Sequence, residues 1–448
     1  MEVKEKLKLL KSGKLRAVDN IKSFLKRIEE LDNGKGINAF LHINKKALKE
    51  AEVIDKKIKA GKAGKLAGLA IAVKSNINVK GLTANAGSKT LENYKSTFDA
   101  TAIAKIKAED GIIIGMTNCD EFASGSSGET SAYGATKNPI NPELIPGGSS
   151  SGSAAAVAAD FCDLALGSET GGSVRNPASH CGIVGVKPSY GKVSRYGLLD
   201  LCMSVDQIGP FSKDVYGAKL LLDVIKGRDE KDATTFDEDI KETKKSFKIG
   251  FSKDFEKICS DKKIVEVVKK KAEQVIKKLK WKSSNINLKH IKLAVATYYP
   301  LVYVEFFSAT RKYDGRKYGK KIEEVAGPEV LRRILGGSEI TKAEYGGQYY
   351  RTALKVKTLI KKDLDEAFKK VDAIIAPTVP KLPHKIGSKI TPEEMYYYDA
   401  LTIPANLSGV AAMSVPAGEI KGIPIGLQII VPAFHEDRMF KIAEAFEK

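Results

Sequence analysis

The chain has 448 residues, 43% hydrophobic and 29% charged, which is enough for a sizeable core in one long α/β domain or in two or three shorter ones. Its apolar runs are broken by charges such as Asp160 and Asp163, which excludes a bilayer-spanning segment; its five cysteines (Cys119, Cys162, Cys181, Cys202, Cys259) form no C-x-x-C pair, which argues against a disulfide framework or a zinc site. The formal net charge of +19 fits a polyanionic partner such as RNA as well as it fits a lysine-rich or heat-adapted surface, since no aromatic–basic RNA motif is visible.

The N-terminus, Met1 to Lys6, is charged and has no apolar signal core, so a cytoplasmic protein is expected. Residues 1–60 read as helices. Val18, Ile21, Leu25 and Ile28 mark one apolar face; Ala47, Leu48, Ala51 and Ile54 mark another. This N-terminal helical segment would be an outer layer or a partner-binding arm. Leu66 to Val73 is an apolar run suited to a buried strand, and it ends at Lys74. A lysine in that position commonly reaches solvent along its own stem. Ala102 to Lys107 reads as helix and Gly111 to Gly115 as a buried strand. Thr117-Asn118-Cys119-Asp120-Glu121-Phe122 then leads into Gly125-Ser126-Ser127-Gly128-Glu129. Asp120 and Glu121 could form a surface acidic pair, and Ser126, Ser127 and the loop amides could line a polar pocket.

Two glycine–serine turns follow. The first is Pro146-Gly147-Gly148-Ser149-Ser150-Ser151-Gly152-Ser153, running into Ala154–Ala159; the second is Gly167-Ser168-Glu169-Thr170-Gly171-Gly172-Ser173. Glycine permits tight bends and close approach. Such turns aim amide N–H groups at negative charge and expose a hydroxyl. A phosphate loop would need lysine where Ser153 stands. A nucleophile elbow would need an apolar strand where the loop Asn138–Pro142 stands. A Gly/Ser linker would not run straight into an Ala/Val helix.

Arg175 is placed either to brace this second turn or to orient a carboxylate, and bracing is favoured. Cys181 has no evident base to lower its thiol pKa. The five histidines (His42, His180, His290, His384, His435) couple to no serine motif, and His180, the nearest, reads as structural. From about 212 to 370 the chain turns to lysine-rich helices, one of them marked by Ile264, Val268, Ala272, Val275 and Leu279. Phe247–Phe251 and Ile291–Ala296 are its strand candidates. Val371–Ala376 and Ile425–Val431 are later strands. Between them Asp399 has a plain alternative as a helix N-cap or a solvated aspartate.

The two turns, with Ser149 and Ser173 twenty-four residues apart and Lys74 seventy-five residues before Ser149, resemble the amidase signature family. Residues 117–129 resemble the branch formed by the A subunits of glutamyl-tRNA(Gln) and aspartyl-tRNA(Asn) amidotransferases. The resemblance covers essentially the whole chain. It implies an α/β fold, the amidase signature fold, in which a central mixed β-sheet is covered on both faces by helices. That domain would span 61–448, with the helical elaboration at about 212–370. By the same resemblance Ser173 is the nucleophile, Ser149 the bridging serine on a cis peptide, and Lys74 the base. The backbone N–H groups of Thr170, Gly171, Gly172 and Ser173 hold the oxyanion. Ser126, Tyr298, Arg333 and Asp399 contact glutamine, Asp399 through the α-ammonium; Arg332 remains open as the alternative to Arg333. A lysine can replace histidine as base if burial lowers its pKa. No metal and no cofactor are implied in this chain, whereas ATP and Mg are implied in a partner. The implied partners are the amidotransferase B and C subunits and, through the complex, misacylated tRNA. Two positions depart from the family pattern: Ser75-Asn76 where aspartate usually follows the lysine, and Glu169 where aspartate is usual. A stand-alone amidase acting on small amides is the alternative, and a non-catalytic RNA-binding protein on a decayed amidase fold is the third reading.

Overall fold

The computed structural model describes residues 1–32, 36–317, 319–342 and 346–447. Eleven strands among them join in one sheet: β1 (Phe40–Ile43), β2 (Ala70–Lys74), β3 (Ile112–Thr117), β4 (Leu164–Glu169), β5 (Val184–Lys187), β6 (Gln207–Ser212), β7 (Lys248–Ser252), β8 (Lys282–Ile286), β9 (Ala373–Pro377), β10 (Ala411–Ile420) and β11 (Ile423–Val431). Their order is β1-β3-β2-β4-β6-β5-β10-β11-β9-β7-β8. β2 runs parallel to β3 and β4, and β7 runs parallel to β8 and β9; the remaining pairs are antiparallel. The sheet is therefore mixed, as expected, and helices flank it.

The composition of each strand follows its place. β2, β3 and β4 are buried along their whole length, which is why they read as unbroken apolar or small-residue runs rather than as alternation. β10 and β11 form a hairpin closed by Lys421 (φ 52°) and Gly422 (φ 76°), the two left-handed residues that a tight hairpin turn requires. β10 is absent from the sequence expectations because Pro416 and Gly418 interrupt it; the structure accommodates both at a bulge. β8, Lys-Ser-Ser-Asn-Ile, is an edge strand whose side chains are mostly exposed, so it carries no apolar signal. β1 lies within the 1–60 stretch read as helical, and its four residues are too few to show a period.

One expectation is overturned outright. Ile291–Ala296 is not a strand: Ile291–Leu293 is a 3₁₀ turn that continues into the helix Ala294–Thr310. The β-branched residues at its start suggest a strand, but the buried set Ala294, Thr297, Tyr298, Leu301, Val302 and Phe306 recurs every three to four residues. That face packs with the helices Pro328–Ile340 and Gln348–Phe368 into a second apolar cluster, separate from the sheet core. The 212–370 stretch thus contributes two strands at one end of the sheet, β7 and the edge strand β8, as well as this helical lobe. No described helix is long and apolar enough to cross a membrane.

The N-terminal helices Val3–Lys11 and Ala17–Leu31 are tied to the sheet through Asp163. Its carboxylate accepts from the amide of Ala70 at 2.8 Å and from Asn20 at 2.9 Å, and pairs with Lys6 at 2.5 Å. Asp163→Ala would leave all three donors without their acceptor. The expected cost is about 3 kcal/mol, read as an earlier urea midpoint. Asp365→Ala, which breaks an exposed pair with Lys361, should cost less than about 0.5 kcal/mol and leave the midpoint nearly unmoved.

Candidate active site

Strand β2 delivers Lys74 to a fully buried position, and parallel pairing with β4 (Val73 opposite Leu166) sets it beside Ser168. Its side-chain nitrogen Nζ lies 2.7 Å from Ser149 Oγ and 2.9 Å from Ser168 Oγ. Every hydrogen-bond partner of this amine is neutral. Burial therefore pushes its pKa down to about 8, against the more distant pull of Cys119, Asp120, Asp206 and Glu169. Asn76, two residues after the lysine, donates to Ser168 Oγ at 2.9 Å and so orients the hydroxyl next to the amine.

The first glycine–serine turn is held from below by Asp120. The peptide Gly148–Ser149 is cis. The amide of Asp120 donates to the Ser149 carbonyl at 3.1 Å, and its carboxylate accepts from Gly128 N, Thr130 N and Thr130 Oγ. A side chain at Gly148 would come within 2.0 Å of Asp120 Oδ2, so only glycine fits. Asp120 and Glu121 are both buried, which overturns the surface-pair reading. Glu121 accepts from Ser88 Oγ and from the amide of Gly327. The two residues that follow, Phe122 (φ 47°) and Ala123 (φ 59°), are held left-handed, a strained backbone that these anchors maintain.

The second turn is organised by a fully buried ion pair between Glu169 and Arg175. Glu169 Oε2 accepts the amides of Val174 and Arg175 at 3.0 Å each. Burial disfavours the Glu169 carboxylate, but the guanidinium beside it holds its pKa below the ordinary glutamate value. Arg175 also donates to the Thr402 carbonyl at 2.9 Å, to Asn406 Oδ1 and to Gln428 Oε1. Arg175 thus braces the turn, as expected. The glutamate in place of aspartate is long enough to meet both the arginine and the two turn amides.

Gly171 and Gly172 are needed for close approach. A methyl group at Gly171 would lie 2.8 Å from the Tyr298 ring, and one at Gly172 would lie 2.4 Å from Asp399 Oδ1. Among the described residues, no protein group accepts from the amides of Thr170, Gly171, Gly172 or Ser173. Thr170 Oγ donates to Asp206 at 2.7 Å, and Asp206 accepts the amides of Leu201 and Cys202. Burial pushes the Asp206 carboxyl up to about 7. The backbone of Ser173 joins the two turns, its carbonyl accepting from Ser150 N at 3.2 Å. Ser173 is 4% exposed, and its hydroxyl has no protein hydrogen-bond partner among the described residues.

Of the four remaining residues named from the sequence, Asp399 and Tyr298 lie against this turn, Ser126 is linked to Asp399 through Asn176, and Arg333 acts on the charge of Asp399. Asp399 accepts from Asn176 Nδ2 at 3.1 Å, and burial pushes its carboxyl up to about 7. The same Asn176 amide donates to the Ser126 carbonyl at 3.2 Å, while Ser126 Oγ donates to the Met395 carbonyl at 2.8 Å. Tyr298 is buried against Gly171, and burial raises its phenol pKa well above the ordinary value. Arg333 is buried and paired with Glu329 at 2.8 Å, its guanidinium 5.6 Å and 5.8 Å from the rings of Tyr299 and Tyr396, which stack on each other. Arg332 binds the same glutamate from outside with its side chain 43% exposed. Burial opposes the Arg333 charge, and Glu329 together with the surrounding tyrosines Tyr299, Tyr298 and Tyr396 more than offsets it.

Sequence reasoning missed Ser168, Asn176 and Asp206 as parts of this site. Ser168 lies within the second turn and Asn176 just beyond it, but neither strand pairing nor side-chain direction is visible in a motif. His180 is buried at the edge of Tyr398, and burial pushes its pKa down to about 3. Burial likewise raises the Cys181 thiol. No described histidine hydrogen-bonds either serine, and no described group of His, Cys, Asp and Glu could hold a metal ion.

Residues 19–440 match the profile of the family described as Amidase. The chain is 54% identical over 434 residues to the A subunit of the glutamyl-tRNA(Gln) amidotransferase of Methanocaldococcus jannaschii, covering 96% of this chain and 99% of that one. It is 50% identical to the protein of the same name from Methanobrevibacter smithii, covering 100% and 99%. The crystal structure of the corresponding A subunit from Thermotoga maritima superposes with a TM-score of 0.85 at 37% identity, covering 100% of this chain and 94% of that one. A buried lysine on a serine hydroxyl, a glycine turn with open amides and these likenesses along nearly the whole length agree: the chain belongs to the amidase family.

Proposed function

We propose that this chain is the glutamine-hydrolysing A subunit of a tRNA-dependent amidotransferase. One juxtaposition carries the choice of substrate: a buried carboxylate, Asp399, lies against Gly172 of the turn that precedes Ser173, and a buried guanidinium, Arg333, is near enough to act on its charge. A free amino acid presents an ammonium and a carboxylate near one carbon, and this pair of opposite charges matches both. A simple amide has use for neither.

In this reading the neutral Lys74 amine takes a proton from Ser149, which takes one from Ser173. The Ser173 hydroxyl must turn toward Ser149 to close that relay. Its oxygen then attacks the side-chain amide carbon of glutamine. The amides of Thr170, Gly171, Gly172 and Ser173 receive the negative charge on the carbonyl oxygen, where each such donor is worth about 3 kcal/mol. Ser149 returns its proton to the departing ammonia, and water attacks the glutamyl ester to free Ser173. Ammonia would pass to a B subunit that uses ATP and Mg to activate the side-chain carboxylate of Glu-tRNA(Gln) or Asp-tRNA(Asn), with a small C subunit completing the assembly.

Steady-state ammonia release tests the reading. Glutamine should be the preferred amide of the isolated chain, with turnover stimulated when the B subunit, tRNA and ATP are added. Robust turnover of small amides with indifference to glutamine would establish a stand-alone amidase instead. The rate at saturating glutamine should rise with pH through about 8, because a protonated Lys74 has no lone pair and the neutral fraction grows above its pKa. KM should fall as pH rises through about 7, where the Asp399 carboxyl ionises and can pair with an ammonium. Lys74→Ala should lower kcat by at least about 100-fold; unchanged ammonia release would overturn the mechanism. Arg333→Ala should raise KM for glutamine by about 100-fold, equivalent to ~3 kcal/mol for a lost buried charge pair. Arg332→Ala, at a half-exposed side chain, should raise it by less than about fivefold.

A further inference from the structure

About half of the net charge sits in under a tenth of the chain. Residues 241–282 hold 15 lysines against 6 acidic residues, a net +9 out of the total +19. Three separate segments gather part of this charge around one cleft of 450 Å³. Lys244 and Lys245 precede β7; Lys278 and Trp281 lie at and just beyond the end of the helix Lys262–Leu279; Lys441 comes from the C-terminal helix Glu436–Glu447. One acid, Glu444, faces them. Lys244 is tethered to Asp372 and Lys441 to Asp437, whereas Lys245 and Lys278 have no ion-pair partner among the described residues. Lys277, Lys280 and Lys282, exposed and next to them in the chain, have no such partner among the described residues either.

Local causes account for some of these lysines. Those near residue 278 answer the negative end of the helix dipole, and Lys282 guards the open edge of β8. Neither cause reaches Lys245 or Lys441, which arrive from other segments at the same cleft. The helix Lys262–Leu279 buries its apolar face (Ile264, Val268, Ala272, Val275), so it has no apolar face with which to enter a bilayer. What remains is a concave, donor-rich surface with an indole in its wall, Trp281 set edge-on to Phe247 at 5.1 Å. A chain of phosphates fits that shape and charge, because each lysine contact releases a counterion.

We infer that this lysine cleft binds the sugar–phosphate backbone of RNA. It is a site distinct from the glutamine site. β7 stands six strand positions from β4 in the sheet, about 29 Å at ~4.8 Å per strand. The inference does not rest on the glutaminase reading.

Trp281 is the chain's one tryptophan, so intrinsic emission reports on this cleft. The full-length protein is titrated with unfractionated tRNA, with ATP and with phosphatidylserine vesicles in parallel. The expected result is a saturable emission change with tRNA, whose affinity falls with salt at a log–log slope of about −3 to −4, near −0.9 for each of four lysines. Lys245→Glu with Lys278→Glu should weaken tRNA binding at least tenfold and flatten the slope by about 2, while melting temperature and glutamine hydrolysis hold. If melting temperature falls, Lys245→Gln with Lys278→Gln carries the comparison with the same expected sign. Emission unmoved by tRNA, equal affinity in the charge variants, or a response only to ATP or to vesicles would each overturn the inference.

Discussion

The Glu169–Arg175 pair holds together the part of the molecule on which any chemistry depends. Both side chains are fully buried, and removing two such charges from water costs several kcal/mol each. That cost is offset only because the charged atoms are well met. The carboxylate takes two turn amides as well as the guanidinium. The guanidinium reaches Thr402, Asn406 and Gln428, more than 200 residues away in sequence. The pair therefore fixes the turn after β4 against elements from the C-terminal part of the chain. With the turn so fixed, Gly171 and Gly172 sit against Tyr298 and Asp399 with no room for a methyl group.

Lys74 follows the opposite logic. It too is fully buried, yet its near neighbours are hydroxyls rather than a carboxylate. Desolvation then outweighs the more distant charges and brings the amine's pKa down to about 8. Arg333 shows the contrast within the same site: equally inaccessible, it has Glu329 and keeps its charge. Asp399 and Asp206 complete the pattern as buried carboxyls without a contacting cation, both pushed up to about 7. Which groups titrate near neutral pH is thus decided by whether a partner ion was built beside them.

Legibility in the sequence tracked burial. β2 and β3 were readable because strands covered on both faces must be apolar throughout, and the helix at 264–279 because one face repeats every three to four residues. β8 was not, since an exposed edge strand needs no apolar residues. β10 was hidden by a proline and a glycine whose place at a bulge depends on register with β11. At 291–296, β-branched content pointed to a strand while the three-to-four spacing of the residues that follow demanded a helix, and the spacing prevailed because packing against two other helices rewards it. At the site, Lys74, Ser149 and Ser173 were marked by motif and spacing. Ser168, Asn176 and Asp206 were not, because each acts through a neighbour that only the fold supplies.

The sequence by itself determined the family, the mixed α/β class and the two glycine–serine turns. These are local matters of composition, spacing and backbone freedom, and they are written into consecutive residues. Only the tertiary structure decided that Lys74 is sealed from water beside Ser149, that Arg333 rather than Arg332 faces inward, and that Asp120 is buried beneath the turn. Solvation and pairing are properties of what surrounds a side chain in three dimensions, and here the surroundings come from segments tens to hundreds of residues apart.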